Sequence, residues 1–292
     1  MIKLIAIDMD GTLLNASHEI SEENIAAIKA AQNNGVTVAI ATGRAFYEAL
    51  APVKPAGLVL PYICLNGAEV RDEAFNILHT SSLNAEQIDK VTAILNKYDI
   101  FYQVYTNSSI YTEDVDKDLQ IYIDISEKAG NVPDVDKIRA GIQKRIDQGS
   151  LKEVDSYQQI YDHDGELVLK FLAYSSNLDK IDAAKAELKQ FSSLAISASS
   201  RGNIEITHND AQKGIALEAI AEQLNISMDQ TMALGDNLND ISMLTRAGYS
   251  VAMANGAPET KAAAKDVTES NQNSGVGKAI FKYLREVNGL DV

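Results

Sequence analysis

Two pairs of carboxylates stand where short apolar runs break off. The first lies in Asp8-Met9-Asp10-Gly11-Thr12, and the second in Gly235-Asp236-Asn237-Leu238-Asn239-Asp240. Acids two residues apart would share a face in a continuing strand. Gly11 breaks the strand, so Asp8 and Asp10 can turn into one pocket. Their mutual repulsion is costly unless a proton or cation lies between them. Oxygen donors of this type suit Mg²⁺, which takes few protein ligands and keeps several waters.

Two smaller elements carry complementary chemistry. Ala41-Thr42-Gly43-Arg44 follows another apolar run. A hydroxyl and a glycine amide make a cradle for phosphate oxygens, and Arg44 could meet the rest of an anionic substrate. Lys213-Gly214 opens a helical stretch, where a lysine adds positive charge to an end that already favours anions. Alone, the first also fits a capped helix start and the second a surface lysine.

The elements that must position these groups follow from the apolar pattern. Leu4–Met9, Val36–Ala41 and Tyr62–Leu65 read as buried strands. Between the first two, Ser21 caps a helix with Glu22 and Glu23 in its first turn, and Gly35 stops it. A further short helix is expected to end before Pro52. Strands alternating with helices imply a parallel sheet with right-handed crossovers. The same rhythm returns late: helix Lys213–Leu224, strand Thr231–Leu234, helix Asp240–Ala247, strand Tyr249–Met253 and a closing helix Gly275–Val287. The middle reads differently. Helical stretches Ala85–Tyr98 and Leu178–Phe191 separate strand-like runs Phe101–Tyr105, Val168–Tyr174, Leu194–Ser199 and Asn203–Thr207. Alternation such as Ile204-Glu205-Ile206 suits an antiparallel sheet with one covered face. The expected architecture is α/β, a Rossmann-like doubly wound parallel core in two parts, residues 1–83 and 208–292, with an inserted α+β domain at 84–207.

Composition narrows the partners. With 46% hydrophobic and 23% charged residues the 292-residue chain reads as globular. A net charge of −15 disfavours nucleic acid and anionic membranes. The lone Cys64 allows no internal disulfide and reads as a small core residue in a reducing compartment. Asp8 interrupts the first apolar run too early for a secretory signal, and no run reaches membrane-span length, so a cytoplasmic protein is expected. His18, His79, His163 and His208 show no metal-ligand spacing and read as surface or loop residues. No pattern sets an oligomeric state.

In chain order, acid pair, hydroxyl, lysine and acid pair resemble the haloacid dehalogenase superfamily of phosphatases. Specifically, they resemble the Cof-type sugar-phosphate phosphatases, which carry a large α+β cap between the second and third motifs. Asn66-Gly67-Ala68 and Val251-Ala252-Met253-Ala254-Asn255 are similar to that subfamily too. The resemblance implies Asp8 as nucleophile and Asp10 as general acid and base. It implies a Mg²⁺ site formed by Asp8, Asp10 through its carbonyl, and Asp236, with Asp240 ordering the metal shell. Thr42, Gly43, Lys213, Asn239 and the Met9 amide would bind the phosphoryl group of a small phosphorylated metabolite. Arg44 and Asn66 would face the remainder of the substrate. A phosphomutase or phosphotransferase of the same fold is an alternative that the core motifs do not separate. A non-catalytic phosphosugar-binding regulator should lack the nucleophile or a metal carboxylate, and here all four acids are present.

Overall fold

The structure is a computed structural model, and it describes residues 1–128 and 132–291. The described chain divides into two compact units, Met1–Thr80 with Asp210–Val292, and Ser81–Asn209.

The first unit begins with β1 (Leu4–Ile7), α1 (Glu22–Asn33), β2 (Thr37–Ala41), α2 (Phe46–Val53), β3 (Tyr62–Cys64), β4 (Glu69–Arg71) and β5 (Ile77–Thr80). The second unit supplies α3 (Ala85–Lys97), β6 (Phe101–Thr106), β7 (Ile110–Thr112), α4 (Val115–Lys128), α5 (Val135–Asp147), β8 (Leu151–Glu153), α6 (Gln158–Tyr161), β9 (Val168–Tyr174), α7 (Leu178–Leu188), β10 (Leu194–Ser197) and β11 (Asn203–His208). The chain then returns to the first unit with α8 (Lys213–Gln223), β12 (Thr231–Gly235), α9 (Ile241–Arg246), β13 (Tyr249–Ala252), α10 (Pro258–Ala263), β14 (Asp266–Val267) and α11 (Gly275–Glu286).

Among the described residues the first unit holds one sheet in the order β14-β13-β12-β1-β2-β3-β4-β5. Its strands from β14 to β3 are parallel, which accounts for their unbroken apolar runs: such strands are buried on both faces. Leu4 and Ala6 join Ala39, Ala41, Leu217 and Leu244 in one core. Ile5 and Ile7 alternate to the opposite face and are equally buried. α1 starts as its sequence indicates, with the Ser21 hydroxyl accepting from Asn24 N–H.

Three features depart from expectation. β4 and β5 add an antiparallel hairpin to the sheet. α2 does not stop before Pro52 but carries it and ends at Val53. The first strand stops at Ile7, so Asp8 and Met9 already belong to the loop.

The second unit is α+β. Its sheet runs β10-β11-β9-β6-β7-β8, antiparallel except where β7 meets β8. One core gathers Val91 and Leu95 of α3, Ile181 and Leu188 of α7, and Val104, Phe171, Ile204 and Ile206 of the sheet. α4 and α5 are additional to the two helices expected here.

Candidate active site

Strand order places the site. β1 lies between β2, its successor along the chain, and β12, which returns after the insertion. A doubly wound sheet opens a ligand crevice at such a reversal, beyond the carboxyl ends of its strands. Ile7 is level with Ile40 of β2 and with Leu234 of β12. The loops that follow bring Asp8, Thr42 and Asp236 to adjoining strand ends.

The centre is a buried cluster of opposite charges. Lys213 Nζ lies 2.6 Å from Asp8 Oδ1 and 2.6 Å from Asp240 Oδ1. Lys213 and Asp240 are fully buried and Asp8 nearly so. Asp240 Oδ2 accepts from the backbone N–H groups of Asp236 and Asn237, each at 2.9 Å. Asp240 therefore fixes both the ammonium and the turn that carries Asp236. Thr12 Oγ1 donates to Asp236 Oδ1 at 2.9 Å.

Two glycines make this closeness possible. A Cβ on Gly11, which has φ +80°, would lie 2.3 Å from Asp236 Oδ2. Only glycine fits beside that carboxylate and adopts that backbone readily. A Cβ on Gly214 would lie 2.1 Å from the Ser242 carbonyl oxygen. The start of α8 thus sits directly on α9, which carries Lys213 inward.

One oxygen from each of Asp8, Asp236 and Asp240 lies within 4.8 Å of the others. Burial pushes the Asp8 carboxyl well above its usual range; Asp240 and Asp236 add to the rise, and Lys213 opposes it. Burial, with Asp240 next, pushes Asp236 up to about 6. Burial lowers the Lys213 ammonium, but Asp240 and Asp8 more than offset it and hold it above its ordinary value. Three carboxylates around one ammonium carry excess negative charge, which a divalent cation would remove. The all-oxygen donor set fits such an ion.

The other residues named from sequence form two neighbouring groups. Arg44 grips Asp10: Nε donates to Oδ2 at 2.7 Å and Nη2 to Oδ1 at 2.5 Å. Arg44 N–H also donates to Thr42 Oγ1 at 3.1 Å, which leaves the hydroxyl proton available to donate. Gly43 lies half-buried between them. His18, on the exposed loop beyond, holds its Nδ1 4.0 Å from Asp10 Oδ1. In the second group Asn239 Nδ2 donates to Asn66 Oδ1 at 3.1 Å. Asn66 is buried, and its left-handed backbone (φ 59°) suits asparagine better than most residues. The Met9 side chain is fully buried, so only its backbone can face a ligand.

Sequence reading missed the support of the Asp10 loop. Asn255 Nδ2 donates to the Gly11 carbonyl at 2.7 Å, and Asn255 Oδ1 accepts from Asn271 N–H at 2.9 Å. Asn271 Nδ2 in turn holds the Leu14 carbonyl at 2.8 Å. The only signal was Asn255 in the motif Val251–Asn255.

A doubly wound sheet with acids at its strand ends and a lysine at a helix start beside them defines a class: α/β enzymes that take an anionic ligand at a topological switch point. Residues 5–280 match the haloacid dehalogenase-like hydrolase family. The chain is 32% identical to phosphatase YwpJ of Bacillus subtilis, over 97% of this chain and all of that protein. It is 34% identical to 5-amino-6-(5-phospho-D-ribitylamino)uracil phosphatase YwtE of the same species, over 97% of this chain and 98% of that protein. The solved structure of a haloacid dehalogenase-like hydrolase from B. subtilis aligns with a TM-score of 0.84 at 31% identity, covering 96% of this chain and 99% of that one. The chain belongs to the haloacid dehalogenase-like hydrolases, in their Cof-type branch, and is an enzyme of the phosphatase kind. Among the described residues no helix is long and apolar enough to cross a membrane.

Proposed function

We propose that this phosphatase is Mg²⁺-dependent, acts on small phosphorylated metabolites with sugar phosphates foremost, and works through an aspartyl-phosphate on Asp8. The observation that carries the reading is the buried Lys213 ammonium, 2.6 Å from both Asp8 and Asp240. A lysine buried only for structure could be replaced by apolar packing. Here it holds a carboxylate at the strand end where attack on phosphorus would occur.

Asp8 and Asp236, with the Asp10 carbonyl, would hold the ion, and Asp240 orders them. Bound there, Mg²⁺ would supply neutralisation of the phosphoryl charge. In the first half-reaction an Asp8 oxygen bonds to phosphorus while the ester P–O bond breaks. Asp10 gives its proton to the departing alkoxide. In the second, a water oxygen bonds to phosphorus, the P–O bond to Asp8 breaks, and Asp10 takes the water's proton. Thr42, Gly43, Lys213, Asn239 and the Met9 amide bind the phosphoryl oxygens, and Asn66 steadies the Asn239 amide. These groups address only the phosphate, so discrimination among leaving groups falls to the inserted domain at 84–207.

The name of YwtE adds a phosphorylated ribitylamino-uracil to the candidate substrates. The buried thiol of Cys64 suits a reducing compartment, and we read the cytoplasm as the protein's place. A panel of sugar phosphates, nucleotides and that compound, assayed for inorganic phosphate with and without Mg²⁺, tests the reading. Turnover should vanish in EDTA and return with Mg²⁺, and no acceptor sugar should be needed. Full activity without metal would sink the metal assignment. A strict need for an acceptor would favour a phosphotransferase.

A further inference from the structure

We infer that Arg44 is a positioning residue for Asp10 and not a substrate ligand; this rests on the reading of Asp10 as the group that moves protons. Asp10 sits on an irregular loop with its side chain 52% exposed, a setting in which a carboxylate ordinarily samples several rotamers. Arg44 removes that freedom. Its Nε and Nη2 take one carboxylate oxygen each, at 2.7 and 2.5 Å, the paired geometry that fixes direction as well as distance. The guanidinium is itself anchored, with Nη1 donating to the Glu48 carbonyl at 3.3 Å. Its backbone is pinned at both ends: N–H donates to Thr42 Oγ1, and the carbonyl accepts from Leu65 N–H at 3.0 Å. A proton-transfer group must be held within hydrogen-bond reach of its target. Arg44 ties the Asp10 carboxylate to the end of β2, the same strand end that carries Thr42 and Gly43.

The separating feature is that a positioning residue acts only through Asp10. Arg44→Met should lower kcat for an alkyl phosphate by about 10²-fold, the cost typical of a misplaced catalytic group, with KM little changed. With p-nitrophenyl phosphate the leaving group needs no proton. The first release of nitrophenolate should therefore keep its rate while steady turnover slows. Arg44→Lys keeps the charge without the fork and should recover little; its unfolding transition, matched to wild type, excludes a folding defect as the cause. The decisive comparison is Asp10→Asn with Asp10→Asn/Arg44→Met. Equal first-turnover rates and equal substrate affinity in the two support the inference. A further loss in the double variant, or an Arg44→Met phenotype confined to a raised KM, overturns it and makes Arg44 a substrate ligand. A wild-type enzyme that forms no covalent phosphate would instead bring down the phosphatase mechanism, and the inference with it.

Discussion

Asp8→Asn is expected to abolish turnover of every substrate, a loss of about 10⁶-fold where an enzyme depends on a covalent nucleophile. Asparagine has nearly the same shape and can still accept from Lys213 through its amide oxygen, but it does not form the acyl phosphate. The same substitution should leave the fold as stable as before, or more so. Burial, with Asp240 and Asp236 after it, pushes the Asp8 carboxyl well up, so its ionised form weighs against the folded state. A neutral amide removes that penalty, the usual trade between activity and stability at a strained site. The check is a pair of measurements, phosphate release and the urea unfolding midpoint. Residual activity near wild type would remove Asp8 from the chemistry.

Lys213→Met is expected to harm both stability and activity. The ammonium is fully buried and bridges two carboxylates at 2.6 Å each. Its removal leaves those acids, with Asp236, facing one another without a countercharge. Breaking a buried ion pair from one side costs about 3–5 kcal/mol. The deficit has a definite pH dependence. A carboxyl whose folded-state value is raised binds more protons folded than unfolded, so its penalty is fully present above the raised value and shrinks as pH falls below it. Asp236 already lies at about 6 in the intact site, against an ordinary value near 4. The variant should therefore regain stability relative to wild type as pH drops from 8 toward 5. Turnover should fall by about 10²–10³-fold, as when a preorganised electrostatic contact is removed. Unfolding curves at the two pH values and a kcat measurement decide it. A variant as stable as wild type at pH 8 would show that the lysine's contacts with both acids are dispensable.

Much of the first unit was legible because its physics is local. Parallel strands covered on both faces leave unbroken apolar runs, so β1, β2, β12 and β13 stood out within a residue or two at each end. The helix that Ser21 starts was legible from its cap. The inserted unit was harder. α4 and α5 do carry apolar residues at helical spacing, Val115, Leu119 and Tyr122 in one and Val135, Ile138 and Ile142 in the other, but charges are interleaved with them and in α5 only Ile142 is buried, which dilutes the signal. β4 and β5 are short, and Ile77 and Leu78 remain exposed, which hides the hairpin. Pro52 misled because it stands in the last turn of a short helix, where the Glu48 carbonyl that its missing N–H would have met accepts from Arg44 Nη1 instead.

For the site, the acids and the threonine were readable as types at strand ends and the lysine at a helix start; their partnerships were not. Lysine is among the residues least often fully buried, so nothing local signals that Lys213 reaches zero exposure between two acids. The fork of Arg44 on Asp10 spans 34 positions, and the Asn255 bond to the Gly11 carbonyl spans 244. Both exist only because β1, β2 and the β13 region are brought together by strand order.

The proposed mechanism turns on a phosphoryl group carried on Asp8. The most direct measurement is a rapid mix of the Asp10→Asn variant with p-nitrophenyl phosphate and Mg²⁺, quenched in acid. The protein is then digested and the modified peptide located by mass spectrometry. The expected result is a burst of up to about one nitrophenolate per enzyme followed by a stall, with a single phosphoryl group on Asp8 and none in the Asp8→Asn protein. A burst that leaves no phosphate on the protein, or phosphate on any residue other than Asp8, would contradict it.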